Sequence, residues 1–583
     1  MWDRLGDWFI FRFPNHKSIP TDNESILVSK NCDDWRKEFR VVKTPDLILK
    51  RGLIVDGTGR PGVEGDVAIR RNWILAIDTP GSLTGAPEEL DCKGLVIAPG
   101  FIDTHSHSDL RVLIEPELPM KARQGITLEV FGQDGISVAP IRKADRPQME
   151  RTLAGLLGKL DREWDWESVD EYLDSVERAK PSVDCSYLIP HGAVRLSAMG
   201  MEDRRATAAE IAGMQELIRQ SMREGALGMS TGLIYPPCCF ADTAELIELC
   251  KAVAEFDGVF VAHMRSESDY LEDAVAEMIE IGKHSGVRVH ISHFKVAGRE
   301  NWPVIDGVLE MVRIARAEGM RLTADQYPYI AGSTMLGAIL PPWAHAGGVE
   351  ATLARLDDED ERGRIRNAML DRSRSEWDNF WKWSGPEGII VSDIPSGRSS
   401  EYVGRNLADA AALAFKAENG ASEEAAADFA LDLLAQERMG VGMISFSQSE
   451  DVVQKIMREP YVNVCTDGLL GGKPHPRAYG TYPRILGRYV RELSVLTLEE
   501  AVRKMSGLAA ETFQLKRYGV IEDGWNANLV IFDPRRVIDQ ATFEDSKQYP
   551  LGIEHVIVEG QPIIRYGEAY FTGAGTAIRS QHA

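Results

Sequence analysis

Cysteine is scarce in this chain, with seven among 583 residues. They stand at positions 32, 92, 185, 238, 239, 250 and 465 with no Cys-x-x-Cys pair, which argues against a disulfide framework and a zinc knuckle and suits a reducing compartment. Long apolar runs are missing as well. No stretch reaches the roughly 18 apolar residues of a membrane span, and Asp3, Arg4 and Asp7 interrupt any signal-peptide core, so a soluble, cytoplasmic protein is expected. Positive charge is in deficit: 66 Lys and Arg against 89 Asp and Glu leave a net charge of −23. Nucleic acid and anionic membrane are poor partners for such a surface. An anionic substrate would need cations built into its own site.

A hydrophobic content of 44% in a chain of this length supports a large core with accessory units. Residues 1–45 read as a polar extension that docks through Trp8-Phe9-Ile10-Phe11-Arg12-Phe13. Short alternating runs over 46–98, such as Leu47-Ile48-Leu49-Lys50 and Asp66-Val67-Ala68-Ile69, are punctuated by Asp56-Gly57 and Pro61-Gly62. Matching runs return in 516–575, at Asn528–Phe532 and His555–Gly560. Together they predict a small β-sandwich built from both termini.

Between them strand and helix patterns alternate. Apolar runs end in polar residues at Leu95–His107, Ile126–Asp134, Val183–His191, Ala226–Thr231, Gly258–His263, Val287–His293, Arg321–Tyr327 and Tyr461–Asp467. Eight such units predict an α/β fold, a (β/α)₈ TIM-type barrel with its chemistry at the carboxyl ends of the strands. Strands one to seven fall in 99–332, and strand eight with a closing helix in 441–515. The long interval 333–440 predicts an inserted α-rich subdomain over the barrel mouth, in which Asp357-Asp358-Glu359-Asp360-Glu361-Arg362 is a solvated helix face.

Six residues sit where such a barrel places a site: His105 and His107 after strand one, Asp134 after strand two, His263 after strand five, His293 after strand six and Asp467 after strand eight. Imidazole is a favoured ligand of zinc-like ions. Two of them in His-x-His spacing at a strand end point the same way, and with the other four they make a metal set plus a carboxylate.

With these residues in place the chain resembles the N-acyl-D-amino-acid deacylases (D-aminoacylases) of the amidohydrolase superfamily. The motifs are Ala98-Pro99-Gly100-Phe101-Ile102-Asp103-Thr104-His105-Ser106-His107, Gly228–Pro237, His263-Met264-Arg265, Ile291-Ser292-His293-Phe294-Lys295, Asp325-Gln326-Tyr327-Pro328-Tyr329, Thr466-Asp467-Gly468 and His475–Gly480, in family order over about 46–570. The resemblance implies hydrolysis of an N-acyl-D-amino acid to a carboxylate and a free D-amino acid. Zn²⁺, as one or two ions with other divalent metals open, would activate water, and Asp467 would act as general acid and base. Asp467 could also serve as a plain ligand. Tyr235, Lys295, Tyr327, Ser333 and Arg477 would bind the substrate, the two cations meeting its carboxylate. The partner is then a small molecule, with homo-oligomerisation open.

One departure stands out. These deacylases typically carry Gly-Asn-Cys-Gly with the Cys as a metal ligand, whereas this chain has Gly132-Gln133-Asp134-Gly135. A carboxylate is harder than a thiolate and can bridge two ions. His263, His293 and Asp134 are expected to hold one ion tightly, with His105 and His107 at a second position. His191 is read as a supporting residue, and Ile189-Pro190-His191-Gly192 lacks the bridging Lys of hydantoinases and dihydroorotases. The alternatives are an amidohydrolase acting on a cyclic imide, a β-linked dipeptide or a secondary-metabolite amide, and a metal-free scaffold on the same fold.

Overall fold

Residues 44–580 are described by the computed structural model, so the extension expected over 1–45, with its aromatic patch, lies outside them apart from its last two residues. Eight parallel strands, β1 to β8, form the barrel: Phe101–Asp103, Ile126–Phe131, Asp184–Tyr187 with its continuation Ile189–Pro190, Gly228–Gly232, Val259–His263, Arg288–Ile291, Leu322–Gln326 and Val462–Val464. Each pairs in parallel with the next in chain order. The ring closes between β8 and β1 through a parallel bridge of Ser106 with Gly468. Strand β2, Ile-Thr-Leu-Glu-Val-Phe, is buried at every position, as a parallel strand covered on both faces must be.

Helices fill the crossovers. Ala208–Arg223 opens with a capping box of Thr207 and Glu210 and buries Met214, Ile218 and Met222, four residues apart, against the barrel. Gly225 follows at φ 110°, a conformation that glycine adopts without steric cost.

The run 95–107 is two strands rather than one. Val96–Pro99 pairs antiparallel with Leu529–Phe532 of the far terminus, and only Phe101–Asp103 enters the barrel. The turn sits at Gly100, where a Cβ would lie 2.1 Å from Thr127 Oγ1. His105 and His107 lie beyond the last ladder residue of β1 and not on the strand itself.

Both termini contribute to a nine-stranded sheet. Its strand Leu47–Ile54 pairs with Glu88–Asp91 along its first half and with Val96–Pro99 along its second, changing partner around Arg51, which has φ 61°. The bend gives the sheet a core of its own, including Leu49, Val67, Ile69, Leu529 and Ile557.

The insert is rich in helix and also carries a small sheet. Its helices Val349–Asp357, Glu359–Leu370, Phe380–Gly388, Leu407–Phe415 and Glu423–Gln436 pack with a three-stranded antiparallel sheet of Ala331–Met335, Gly442–Phe446 and Ile389–Asp393. Gly442–Phe446, expected on the barrel side of the boundary at 440, is the central strand of that sheet. Within the charged block, Asp358 caps Glu359–Leu370 by accepting from the amides of Asp360 and Glu361.

Candidate active site

Strand ends and their turns deliver the six residues to one buried cluster. Asp134 lies at its centre: Oδ1 is 3.5 Å from His105 Nε2, 3.6 Å from His293 Nε2 and 3.9 Å from His263 Nδ1, while Oδ2 is 3.5 Å from His107 Nε2. Asp467 Oδ1 completes the ring at 3.3 Å from His107 Nε2 and 3.8 Å from His105 Nε2. Three of these residues hold positive φ, with Asp134 at 57°, His293 at 34° and Asp467 at 48°. Such backbone costs on the order of 1–3 kcal/mol per residue and survives where the surroundings enforce it. Here the Asp467 amide donates to His105 O at 2.9 Å and the His293 amide to Asp325 Oδ1 at 2.5 Å.

Two carboxylates that sequence reasoning passed over support the cluster. Asp325 Oδ2 accepts from Thr104 Oγ1 at 2.9 Å, so one side chain steadies both the segment leading to His105 and the His293 turn. Glu267 stands behind His263 and His293, on the side away from Asp134. Its Oε1 is 3.0 Å from His293 Nδ1, and its Oε2 is 3.6 Å from His263 Nε2. Each ring thus turns one nitrogen to Asp134 and the other to Glu267, the arrangement in which a carboxylate fixes the tautomer of a metal-ligating histidine. The available signal was spacing: Glu267 lies four residues after His263.

A buried salt-bridge centre lies beneath. Lys121 Nζ contacts Asp103 Oδ2 and Glu129 Oε1, both at 2.7 Å, and also Ser106 Oγ and Thr466 Oγ1. It ties the residue between the two histidines to the residue before Asp467.

Burial by itself would raise the carboxyl groups of Asp134, Glu267 and Asp467. The adjoining histidines, with Lys295 and Arg477, outweigh it and hold all three below the ordinary carboxylate range. Burial lowers His263 to about 4. At His107 burial is overcome by Asp134 and Asp467, and the imidazole rises to about 9. At His293 burial and Lys295 are overcome by Glu267 and Asp134, and it rises to about 10. Imidazoles that retain protons this deep answer a concentration of negative charge that a cation would otherwise meet.

The donor set fits a divalent cation. His105 Nε2, His107 Nε2, Asp134 Oδ1 and His263 Nε2 are buried without a hydrogen bond. The first three of these atoms, with His293 Nε2 and Asp467 Oδ1, turn into one space. The 3.5–3.9 Å separations around Asp134 Oδ1 are close to the ~3.3 Å between neighbouring ligands of a tetrahedral ion with ~2.0–2.1 Å bonds. Among the described residues, the groups placed to hold an ion consist of His, Asp and Glu.

The expected substrate residues line the same cleft. Arg477 Nη1 is 2.9 Å from Asp467 Oδ2, and Nη2 donates to Ser333 O at 2.9 Å. Nε makes no hydrogen bond. Lys295 lies on the loop after β6; Nζ meets Glu267 Oε1 at 2.5 Å and His293 Nδ1 at 2.7 Å. The Ser333 hydroxyl is spent on Met443 O at 2.8 Å. Tyr235 OH bonds Thr334 Oγ1 at 2.8 Å, and Tyr327 OH accepts from Gln448 Nε2 at 3.0 Å. His191 belongs to a separate buried network, with Thr231 Oγ1 at 2.9 Å and Glu245 Oε1 at 3.1 Å.

Comparison with known proteins identifies the family. The sequence profile of a family described as "Amidohydrolase family" matches residues 88–564. The D-aminoacylase of Alcaligenes xylosoxydans xylosoxydans is 34% identical over 533 residues, covering 91% of this chain and 96% of that protein. The N-acyl-D-glutamate deacylase of the same organism is 34% identical, covering 88% and 93%. Among solved structures, an N-acyl-D-glutamate deacylase from Bordetella bronchiseptica, complexed with zinc and a phosphonate mimic of the tetrahedral intermediate, superposes with a TM-score of 0.77 at 31% identity, covering 92% of this chain and all of that one. No helix among the described residues is long and apolar enough to cross a membrane. The chain is a hydrolase of amide bonds and belongs to the N-acyl-D-amino-acid deacylase (D-aminoacylase) family of amidohydrolases.

Proposed function

We propose that this enzyme hydrolyses the amide of an N-acyl-D-amino acid, releasing a carboxylate and a free D-amino acid, with zinc held by His263, His293 and Asp134 and a second position formed by His105 and His107. The observation that carries the reading is Asp134 set between four imidazoles, with Asp467 on the same face. A bound zinc ion supplies Lewis acidity toward a carbonyl oxygen and lowers the pKa of a bound water from 15.7 to ~7.

The remaining work falls to the chain's own side chains. Asp467, held ionised by Arg477, takes the proton of the attacking water and delivers it to the departing amine. Arg477 offers its unbonded Nε to the substrate's α-carboxylate, with the Lys295 ammonium in the same cleft adding charge. The Tyr235 hydroxyl lies beside the cluster for the acyl oxygen. Glu267 and Asp325 keep the histidines in place. The insert's Phe380 and Trp383 line the cleft.

The names of the similar proteins support the D-configuration. The test is metal analysis together with amine release from matched N-acetyl-D- and N-acetyl-L-amino acids. Zinc at one or two equivalents and turnover of D-substrates are expected; activity confined to L-substrates would overturn the reading.

A further inference from the structure

Beyond the residues already given roles, the cleft wall carries no charge. It consists of Leu156 from the barrel, Phe380 and Trp383 from the insert, Ala297 from the loop after β6, and Ser445 and Ser447 at the end of the insert's central strand. Phe380 and Trp383 form a paired aromatic surface, with ring centroids 4.6 Å apart and planes at 41°. Gly298 packs close to Trp383, where a Cβ would lie 3.3 Å from its Cδ1. Leu156 and Phe380 are buried against the protein.

Among the described residues the cleft's only Lys and Arg are Lys295 and Arg477, and both stand beside acids, Glu267 and Asp467. The cleft also holds Asp134, so its carboxylates outnumber these cations. One substrate carboxylate can use Arg477's open edge. A second would meet aromatic rings and serine hydroxyls with no cation to pair it, at the full cost of a desolvated charge.

We propose that the amino-acid side chain of the substrate is apolar, aliphatic or aromatic, and is recognised by the Phe380–Trp383–Leu156 wall, so that Phe380 and Trp383 are specificity-determining residues and acidic D-amino acids are excluded. This rests on the reading of the enzyme as an N-acyl-D-amino-acid deacylase.

The test keeps the acyl group as acetyl and varies the side chain. For the wild type, kcat/KM for N-acetyl-D-phenylalanine and N-acetyl-D-leucine should exceed that for N-acetyl-D-glutamate and N-acetyl-D-aspartate by ~10²-fold or more, since an unpaired charge is rejected more strongly than a missing methylene. Trp383→Ala and Phe380→Ala should each lower kcat/KM for the phenylalanine derivative about tenfold or more while moving the alanine derivative only slightly. Trp383→Arg should narrow the gap to the glutamate derivative. Preference for the acidic substrates, or an equal loss on every substrate in the alanine variants, would overturn the proposal. Calorimetry on Asp467→Asn reads the wall without turnover. Tight binding of N-acetyl-D-phenylalanine but not N-acetyl-D-glutamate supports the wall even if the wild type hydrolyses neither, an outcome that would overturn the reaction assigned above and not the side-chain class.

Discussion

Arg477 Nη1 stands 2.9 Å from one oxygen of Asp467 while the other oxygen faces His107 Nε2 at 3.3 Å. The carboxylate is therefore held on both sides, ionised and aimed at the cluster. Asp467→Asn keeps the shape and removes the proton acceptor. It should lower kcat by ~10²–10⁴, the usual contribution of a general acid–base group, with metal content retained. Steady-state kinetics paired with elemental analysis checks this, and near-normal turnover at full metal content would place the base elsewhere.

Glu267 was not among the residues singled out in the sequence, and its position carries a prediction of its own. It contacts His293 Nδ1 and lies near His263 Nε2, so it orients both rings without facing Asp134. Glu267→Gln should weaken metal affinity by ~10–100-fold, the usual effect of losing such a partner, while the fold persists. Competition with a chromophoric chelator measures it directly; unchanged affinity would show that the rings are held by packing alone.

The barrel and six of the clustered residues were readable from sequence because strand ends carry their chemistry in short motifs. A polar residue after an apolar run is a local signal, and Asp134, His263, His293 and Asp467 each stand at one. What escaped depends on pairing at long range. The break at Gly100 follows from the packing of Thr127 against it, and Val96–Pro99 joins the terminal sheet because its partner is Leu529–Phe532, more than 400 residues away. The same holds for Lys295, whose proximity to Glu267 depends on how the loops after β5 and β6 meet. Ser333 lines the cleft, and what sequence could not show is that the ladder with Gly442–Phe446 lets its hydroxyl donate to Met443 O.

Asp134→Cys restores the thiolate that related deacylases carry. Both Asp134 oxygens face imidazoles, whereas a thiolate would present a single sulfur to both positions. Thiolate also favours softer ions than carboxylate does. The variant should stay metallated but shift its preference among Zn, Mn, Co and Ni and bind fewer equivalents. Identical stoichiometry and preference would remove Asp134 from the metal contacts.

The insert docks on the loop after β5 through Asp378. Its Oδ1 accepts from Ser266 Oγ at 2.7 Å and Ser268 Oγ at 2.6 Å, and its Oδ2 from the Glu267 amide at 2.8 Å. Burial, helped by the charge of Glu267, outweighs these bonds and pushes the carboxyl up to about 7. The sign follows directly. An acid whose folded pKa lies above its unfolded value of about 3.9 favours folding when protonated, so its contribution is complete below pH ~4 and is lost as pH rises to about 7. The slope over that window approaches about 1.4 kcal/mol per pH unit. Asp378→Asn cannot ionise, and its amide can turn Oδ1 to the Glu267 N–H and Nδ2 to the serine oxygens. Comparing denaturant unfolding of the two proteins from pH 4 to 8.5 cancels every other titration common to both. The wild type should lose stability relative to Asp378→Asn up to about pH 7 and then run parallel to it; a gap that stays constant across the range would mean that Asp378 is ionised throughout, held by the three donors alone.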